Sequence, residues 1–343
     1  MDRGVSIILC CYNSAKRLPE TLRHVIAQRV APDINWEVIL VDNASGDNTF
    51  ELSNEILSRG NIAFQVVREG TPGLANARTK GLSVAKYEYL LYCDDDNWLQ
   101  EEYVEKIYRL LEQHREVVIL GGMGEAVFED AEPVWFKRFE HNFAVGDQSD
   151  SPNEFSIVHE VYGAGFTVRR SFLQELNELG FKNLMTGRTK NQLISGEDTE
   201  LAFAANHLGY KIGYSRGLRF KHLMTAPRMK WSYMKKLYFG FGRTNIYSHA
   251  YQDADAGKDP SKLRLRFPFW LDTWIHKAKD TIRLYPKVML KMNEEGDEDV
   301  LRFIAMKGEL SELWSLKRRY NDLFQAIHQY INLFKRARAN NPN

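Results

Sequence analysis

Three adjacent aspartates, Asp94, Asp95 and Asp96, follow the apolar run 88–93, EYLLYC. Neighbouring carboxylates repel one another, so a solvated turn is the ordinary place for such a run. At a strand end that faces a cleft, the same three need a cation to hold them together. Mg²⁺ takes oxygen ligands and commonly uses one or two carboxylates together with substrate phosphates. In an extended segment Asp94 and Asp96 point to one side and Asp95 to the other, which makes the alternating pair the better metal site. A second apolar run, 36–41, ends in Asp42 and Asn43. A carboxylate and an amide there can accept hydrogen bonds from a base N–H or from ribose hydroxyls.

A further acidic pair, Glu197 and Asp198, opens the amphipathic stretch TELAFAANHLG. Acids in a helix's first turn are favourable in themselves, by ~0.3–1 kcal/mol, and need no function. One of the two can equally act as a general base, taking the proton of an attacking hydroxyl. His222, after the strand-like LRF, is either a structural histidine or a metal ligand. Tyr162, Gly163, Ala164 and Gly165 let backbone pack closely, and Trp98, Trp135, Phe136 and Tyr162 could stack on a ligand's ring, although packing is the commoner use of aromatics. Cys10, Cys11 and Cys93 lie in or beside apolar runs, cannot make a disulfide framework and fit no zinc spacing; they read as small buried hydrophobes.

The elements that must position these residues alternate short apolar runs with helical patterns. Strands are predicted over 5–10, 36–41, 62–67 and 88–93, and helices over 15–28, 49–59 and 75–85. That rhythm predicts an α/β domain, doubly wound, with functional loops at the carboxyl ends of its strands. Asp42 and the Asp94–Asp96 cluster then share one edge and should face one crevice. After Leu111 the rhythm loosens: VVILGG reads as a strand, and 128–155 as an irregular stretch of the length that binding loops have. Ordered elements return through YGAGFTVRR, GEDTELAFAANHLGYKIGY and LRFKH. Beyond Pro227 the pattern is helical and aromatic, which sets a boundary near 230: a catalytic domain over 1–230 and a mainly helical region over 231–343.

The chain has 343 residues, with 46 Lys+Arg against 45 Asp+Glu. This balance excludes a nucleic-acid binder that works through a globally basic surface, and 44% hydrophobic residues suit a folded protein with a sizeable core. No apolar run approaches the ~20 residues a spanning helix needs, and the opening lacks the pattern of a signal peptide. A cytoplasmic location is expected, at most at the cytoplasmic face of a membrane.

The chain resembles a family-2 glycosyltransferase of the GT-A fold. The resemblance rests on VSIILCCYN, VDNASGDNT, GLANARTKGL, LLYCDDDNW, GAGFTVRR, GEDTEL and FKH, in that order, over the first two-thirds of the sequence. It implies a GT-A sheet, a nucleotide-diphosphate-sugar donor, Mg²⁺ or Mn²⁺ held by a D-x-D element, and transfer with inversion to a hydroxyl of a glycan or lipid-linked acceptor in polysaccharide biosynthesis. Carried onto this chain, Asp96 is the direct metal contact and Asp94 a ribose or shared metal contact, with Asp95 beside them at the donor. Asp42 and Asn43 match the pair that contacts the nucleobase, and Arg78 the basic residue of A-R-N, although Thr79 replaces the Asn. The resemblance also assigns Asp198 as general base, with Glu197 orienting it or touching the acceptor, and His222 as the histidine that completes the metal's coordination. Two rivals are weaker. A sugar-phosphate nucleotidyltransferase would bring a glycine-rich loop after the first strand, and CCYNSAKRLPE has no glycine; a non-catalytic glycan-binding scaffold has no need of Asp94, Asp96, Asp198 and His222 together.

The C-terminal third lies outside the resemblance. Leu313, Leu316, Tyr320, Leu323, Ile327, Tyr330 and Phe334 follow steps of three and four, the apolar seam of one helix packed on another. The seam is expected to cover the catalytic domain or to pair with 264–291. Lys317, Arg318, Arg319, Lys335, Arg336 and Arg338, with Trp270 and Trp274 upstream, allow an alternative, a peripheral membrane contact.

Overall fold

The computed structural model describes residues 2–185, 196–258 and 268–340. The chain folds as two units, one from 1–130, 139–181 and 198–224, the other from 131–138, 182–197 and 225–343. The main division thus falls at 224/225, and two short segments from earlier in the chain join the C-terminal helices.

The first unit carries strands β1 (Asp2–Cys11), β2 (Trp36–Asn43), β3 (Phe64–Glu69), β4 (Tyr87–Asp94), β5 (Asn97–Leu99), β6 (Val117–Phe128), β7 (Phe155–Val158), β8 (Thr167–Arg169) and β9 (Lys211–Met224). They form one sheet in the order β3-β2-β1-β4-β8-β6-β9-β5, with β7 also on β9. β3, β2, β1 and β4 run parallel, as do β6 and β9, while β8, β5 and β7 are antiparallel to their neighbours. β1 and β2 are apolar almost throughout because both faces are covered. Leu9, Cys11, Leu40, Leu91 and Cys93 meet Leu18, Leu22 and Val25 of α1 (Leu18–Ile26) and Tyr103, Ile107 and Leu111 of α4 (Tyr103–Gln113). The opposite face of β1 and β2 receives α3 (Leu74–Val84), and α2 (Thr49–Leu57) packs beside α1, β2 and β3.

Most boundaries fall within three residues of those expected. Helix α1 begins at Leu18 rather than Ala15, because Ser14 to Arg17 form a hydrogen-bonded turn and Pro19 suits a helix's first positions. The VVILGG strand continues to Phe128, held by β9. Much of YGAGF is not strand; only Thr167–Arg169 pairs, between β4 and β6. The stretch 128–155 contains α5 (Phe136–Phe139) and a 3₁₀ turn (Glu140–Phe143), and Trp135 and Phe136 are buried, the packing role rather than a sugar platform. Helix α6 (Arg170–Glu178) follows β8, and α7 (Glu197–Leu208) precedes β9.

The second unit holds α8 (Trp231–Asp255), α9 (Phe269–Val288), α10 (Glu298–Leu316) and α11 (Arg319–Asn340). The seam expected to run along one helix is divided, since Lys317 has a φ of 45° and ends α10 before α11 begins. Its residues are nonetheless packed: Leu313, Tyr320, Leu323, Ile327 and Phe334 are buried, and α11 lies on α8, with Phe269 of α9 against Tyr320 and Phe324. Among the described residues no helix is long and apolar enough to cross a membrane.

Helices α8 and α10 approach to backbone contact at two glycines. A Cβ on Gly242 would overlap the Ala305 carbonyl, and one on Gly308 the Phe239 carbonyl. Gly242→Ala and Gly308→Ala are each expected to destabilise this unit by about 1–3 kcal/mol through overpacking, beyond the ~1 kcal/mol that alanine returns in helix propensity. One outward shift of α10 relieves both overlaps, so the double variant should cost less than the sum. Urea unfolding monitored by helical circular dichroism measures all three, and additive costs would mean that the two contacts yield separately.

Candidate active site

β1 lies between β2 and β4, and its register sets Cys11 beside Asp42 and Cys10 beside Asp94. Two strand spacings separate the two aspartates' backbones, about 10 Å, roughly the length of a nucleoside. Strand alternation then decides what each acidic residue meets. Asp94 leaves the sheet on the side of α3, where Arg78 sits over the rings of Tyr92 (5.1 Å) and Phe166 (5.4 Å). Burial and the neighbouring Asp96 push the Asp94 carboxyl up to about 6, while Arg78 and His222 draw it back.

Asp95 points the other way, to the start of α1. Its carboxylate accepts from Ser14 Oγ and from Arg17 at 2.6 Å, and its carbonyl accepts from Thr21 Oγ1 at 2.8 Å. Burial and Asp96 raise its carboxyl, and Arg17 opposes them. Asp95 therefore ties the aspartate turn to α1, different work from the donor contact that the resemblance implies. Asp96 is buried, with Oδ1 3.3 Å from Asn97 Nδ2 and 3.4 Å from His222 Nε2. Asn97 and His222 are partners across β5 and β9, and Asn97 Oδ1 also accepts from the Asp94 N–H at 3.3 Å.

A hard carboxylate oxygen and an imidazole nitrogen 3.4 Å apart suit two neighbouring ligands of one divalent ion. Among the described residues no group of three His, Cys, Asp or Glu is assembled for a metal; Asp96 and His222 form a close pair, and Asp94 stands beside it. The raised Asp94 carboxyl gives the same indication from electrostatics, because a cation would relieve the repulsion that burial enforces.

At the other strand end the two neighbours also divide. Asn43 donates to the carbonyls of Glu69 (3.3 Å) and Thr71 (2.8 Å) and accepts from Gly73 N–H (2.8 Å), so both ends of its amide fix the loop before α3. Asp42 is buried, with Oδ2 3.8 Å from Arg68 Nε and Oδ1 without a hydrogen-bond partner. A buried carboxylate oxygen lacking a donor is a costly feature unless something supplies one.

Asp198, at the start of α7, is half-exposed. Its Oδ2 accepts from Gly163 N–H at 2.9 Å and its Oδ1 from Thr199 N–H at 3.1 Å, while Glu197 is buried. A Cβ on Gly163 would stand 2.8 Å from that Oδ2, so a larger residue there would force the Asp198 carboxylate to shift. Burial, with Asp198 nearby, raises the Glu160 carboxyl. Three chain steps lead from Gly163 to Phe166 under Arg78, a length that spans at most ~10 Å. The segment 163–166 therefore links the group around Asp94 to Asp198.

Residues 6–176 match the family model for glycosyl transferase family 2. The chain belongs to glycosyltransferase family 2. It is 31% identical to glycosyltransferase GlyG of Streptococcus pneumoniae over 121 residues, which are 35% of this chain and 39% of that protein. It is 25% identical to the putative glycosyltransferase EpsH of Bacillus subtilis over 241 residues, 68% of this chain and 65% of that protein. The chain thus spans less than two thirds of the length of these curated relatives. In structure it is similar to S. aureus TarS 1-349 in complex with UDP-GlcNAc, with a TM-score of 0.50 and 16% identity over 98% of this chain and 90% of that one. The fold of this family-2 chain is GT-A.

Of the residues singled out from the sequence, Asp94, Asp96, His222 and Arg78 come together, and Asp42 and Asp198 stand at linked positions. Ser14, Arg17, Thr21 and Asn97 were not among them; Asn97 adjoins the aspartates, but the other three declare themselves only through the turn before α1.

Because its folded carboxyl lies above the ordinary 3.8, ionising Asp94 withdraws stability as pH rises from about 4 through 6. Asp94→Asn is therefore expected to raise the Tm of metal-free protein at about pH 8, corresponding to ~1–3 kcal/mol, and to leave it unchanged at about pH 4. Scanning calorimetry at both pH values checks this, and an equal change at each would show that the Asp94 charge carries no penalty.

Proposed function

We propose that this chain is an inverting, metal-dependent glycosyltransferase that acts in the cytoplasm and moves a sugar from a nucleotide-diphosphate donor to a hydroxyl of a glycan or lipid-linked acceptor. The observation that carries the reading is the Asp96–His222 pair beside Asp94 and Arg78, joined through 163–166 to a carboxylate held by a backbone N–H. In this reading Asp42 receives a base N–H on its unpartnered Oδ1, and Asn43 shapes the loop that borders the base. Asp96 and His222 hold a divalent cation, Mg²⁺ or Mn²⁺, which when bound supplies positive charge to the diphosphate. Arg78 adds a fixed positive charge on the α3 side.

Asp198 accepts the proton of the acceptor hydroxyl as its oxygen bonds to C1 of the sugar. The bond from C1 to the diphosphate oxygen breaks on the opposite side, the electron pair leaves with the nucleoside diphosphate, and the configuration inverts. The Gly163 N–H steadies Asp198 Oδ2 and leaves the carboxylate its other lone pairs for the incoming proton. Glu197, buried at the start of α7, supports the position of that turn.

Two measurements test the reading. A thermal-shift screen of nucleoside diphosphates and their sugars, with and without Mn²⁺ or Mg²⁺, should find a ligand that raises Tm by mass action only when the cation is present. Asp96→Asn should abolish that shift, and an equal shift in chelator would sink the metal assignment. With the donor and acceptor so found, Asp198→Asn should keep donor affinity and lower the transfer rate by on the order of 10²–10⁴. Gly163→Ala, which crowds Oδ2, should lower kcat by about tenfold with little change in donor KM. Normal turnover in Asp198→Asn together with an inactive Glu197→Gln would move the base to Glu197.

A further inference from the structure

Helices α9 and α10 run antiparallel, as their paired side chains show. Trp274 Nε1 donates to the Leu310 carbonyl at 3.1 Å, Lys277 meets Glu309 at 2.7 Å, Tyr285 meets Phe303 at 5.8 Å, and Val288 packs with Val300. On α10, Phe303, Lys307, Leu310 and Trp314 follow steps of four, three and four, so they form one stripe. On α9, Trp270 and Trp274 reach Trp314 at 6.0 and 6.1 Å, and Tyr285 reaches Phe303. Together these residues place aromatic contacts at both ends of the helix pair. Phe303 is buried, and beside these contacts several large apolar residues are open to solvent: Ile282 is 70% exposed, Trp314 54%, and Tyr285 and Met289 51% each. Scattered exposed apolar residues need no explanation, but a run of large ones along one helix pair marks an interaction surface.

The charges on this unit are sorted. The acids of α10 that point inward are matched, Glu309 with Lys277 and Glu312 with Arg243. Lys307 lies over the Phe303 ring at 5.9 Å, Lys317 over Trp314 at 4.9 Å, Arg318 follows in the turn and Arg319 opens α11. Among the described residues none of these four cations pairs with an acid. The acidic run 294–299 lies past the other end of α9, where Asp297 takes Lys291 and Glu298 takes Arg138.

We propose that the α9–α10 face binds the surface of an anionic lipid bilayer. Trp and Tyr rings with cations seated over them suit the headgroup layer, and Ile282 and Met289 suit the acyl boundary beneath it. Four unpaired cations supply the attraction to anionic headgroups. A second copy of this chain fits less well, because a twofold contact sets a patch against itself and would bring the cations of one copy against those of the other. The proposal concerns the helical unit and holds whatever sugar or acceptor the other unit takes.

Co-sedimentation of the full chain with vesicles of phosphatidylcholine alone, or mixed with phosphatidylglycerol, at low and high salt tests it. Binding is expected on the mixed vesicles at low salt and should fall at high salt. The double variant Arg318→Glu, Arg319→Glu should weaken it by about 30-fold or more, given the contribution of each basic residue near a charged membrane. The exposed-site variant Trp314→Ser, Ile282→Ser should weaken it by about tenfold, and an unchanged circular-dichroism melt shows that it folds. Failure of the full chain to sediment with mixed vesicles overturns the proposal, whatever soluble partner it then binds. So does retention of wild-type binding by both variants, and so does a vesicle-free dimer that Trp314→Ser, Ile282→Ser dissociates.

Discussion

Three carboxylates on consecutive residues repel one another, and at the end of β4 two of them, Asp94 and Asp96, press on each other beside a buried sheet. The pleat is what makes this tolerable. It turns Asp95 toward α1, where Ser14 and Arg17 take its charge, and leaves Asp94 on the α3 side with Arg78. Asp96, past the strand, meets Asn97 and His222, delivered by the antiparallel pairing of β5 and β9. The return of β9 beside β5 is what brings a histidine to the aspartate turn. What is left over is a buried pair of carboxylates whose mutual repulsion Arg78 and His222 offset only in part, since the Asp94 carboxyl still stands at about 6.

The helical unit solves a different problem. Its helices bury area through close approach, and α8 and α10 meet at Gly242 and Gly308 with backbone against side-chain-free backbone. Charges that the approach would bury are paired across it, Arg243 with Glu312 at 2.6 Å. Lys307 and Lys317, by contrast, rest over the rings of Phe303 and Trp314 rather than on acids.

The parallel strands and the edge on which Asp42 and Asp94 lie were legible in the sequence, because a strand buried on both faces is written as an uninterrupted apolar run that turn residues close. The motif residues were legible for the same reason, standing where those runs stop. The break of the C-terminal seam at Lys317 was not, since a lysine with a φ of 45° carries no local signal and the heptad-like spacing continues through it. Nor was the return of β9 beside β5, a long-range pairing that depends on the whole sheet. Trp135 and Phe136 illustrate the limit for single residues: an aromatic that could stack on a sugar and one that fills a core look the same until burial is known.

The site also shows why adjacent residues of one motif must be read separately. Asp42 and Asn43 end the same strand, but Asn43 has both donors and its acceptor consumed by the 69–73 backbone, and Asp42 retains a buried oxygen with none. Asp94 and Asp95 divide between α3 and α1, and Asp198 meets a backbone N–H while Glu197 is buried. In the first two pairs the hydrogen-bonding capacity of Asn43 and of Asp95 is spent inside the protein, and Asp42 keeps an oxygen without a donor. Positioning and chemistry therefore sit one residue apart, because the chain direction that aims one side chain at a cleft aims its neighbour into the scaffold. A substitution at the spent member should loosen the geometry of the unspent one, whereas a substitution at the unspent member removes the chemistry and leaves the geometry in place.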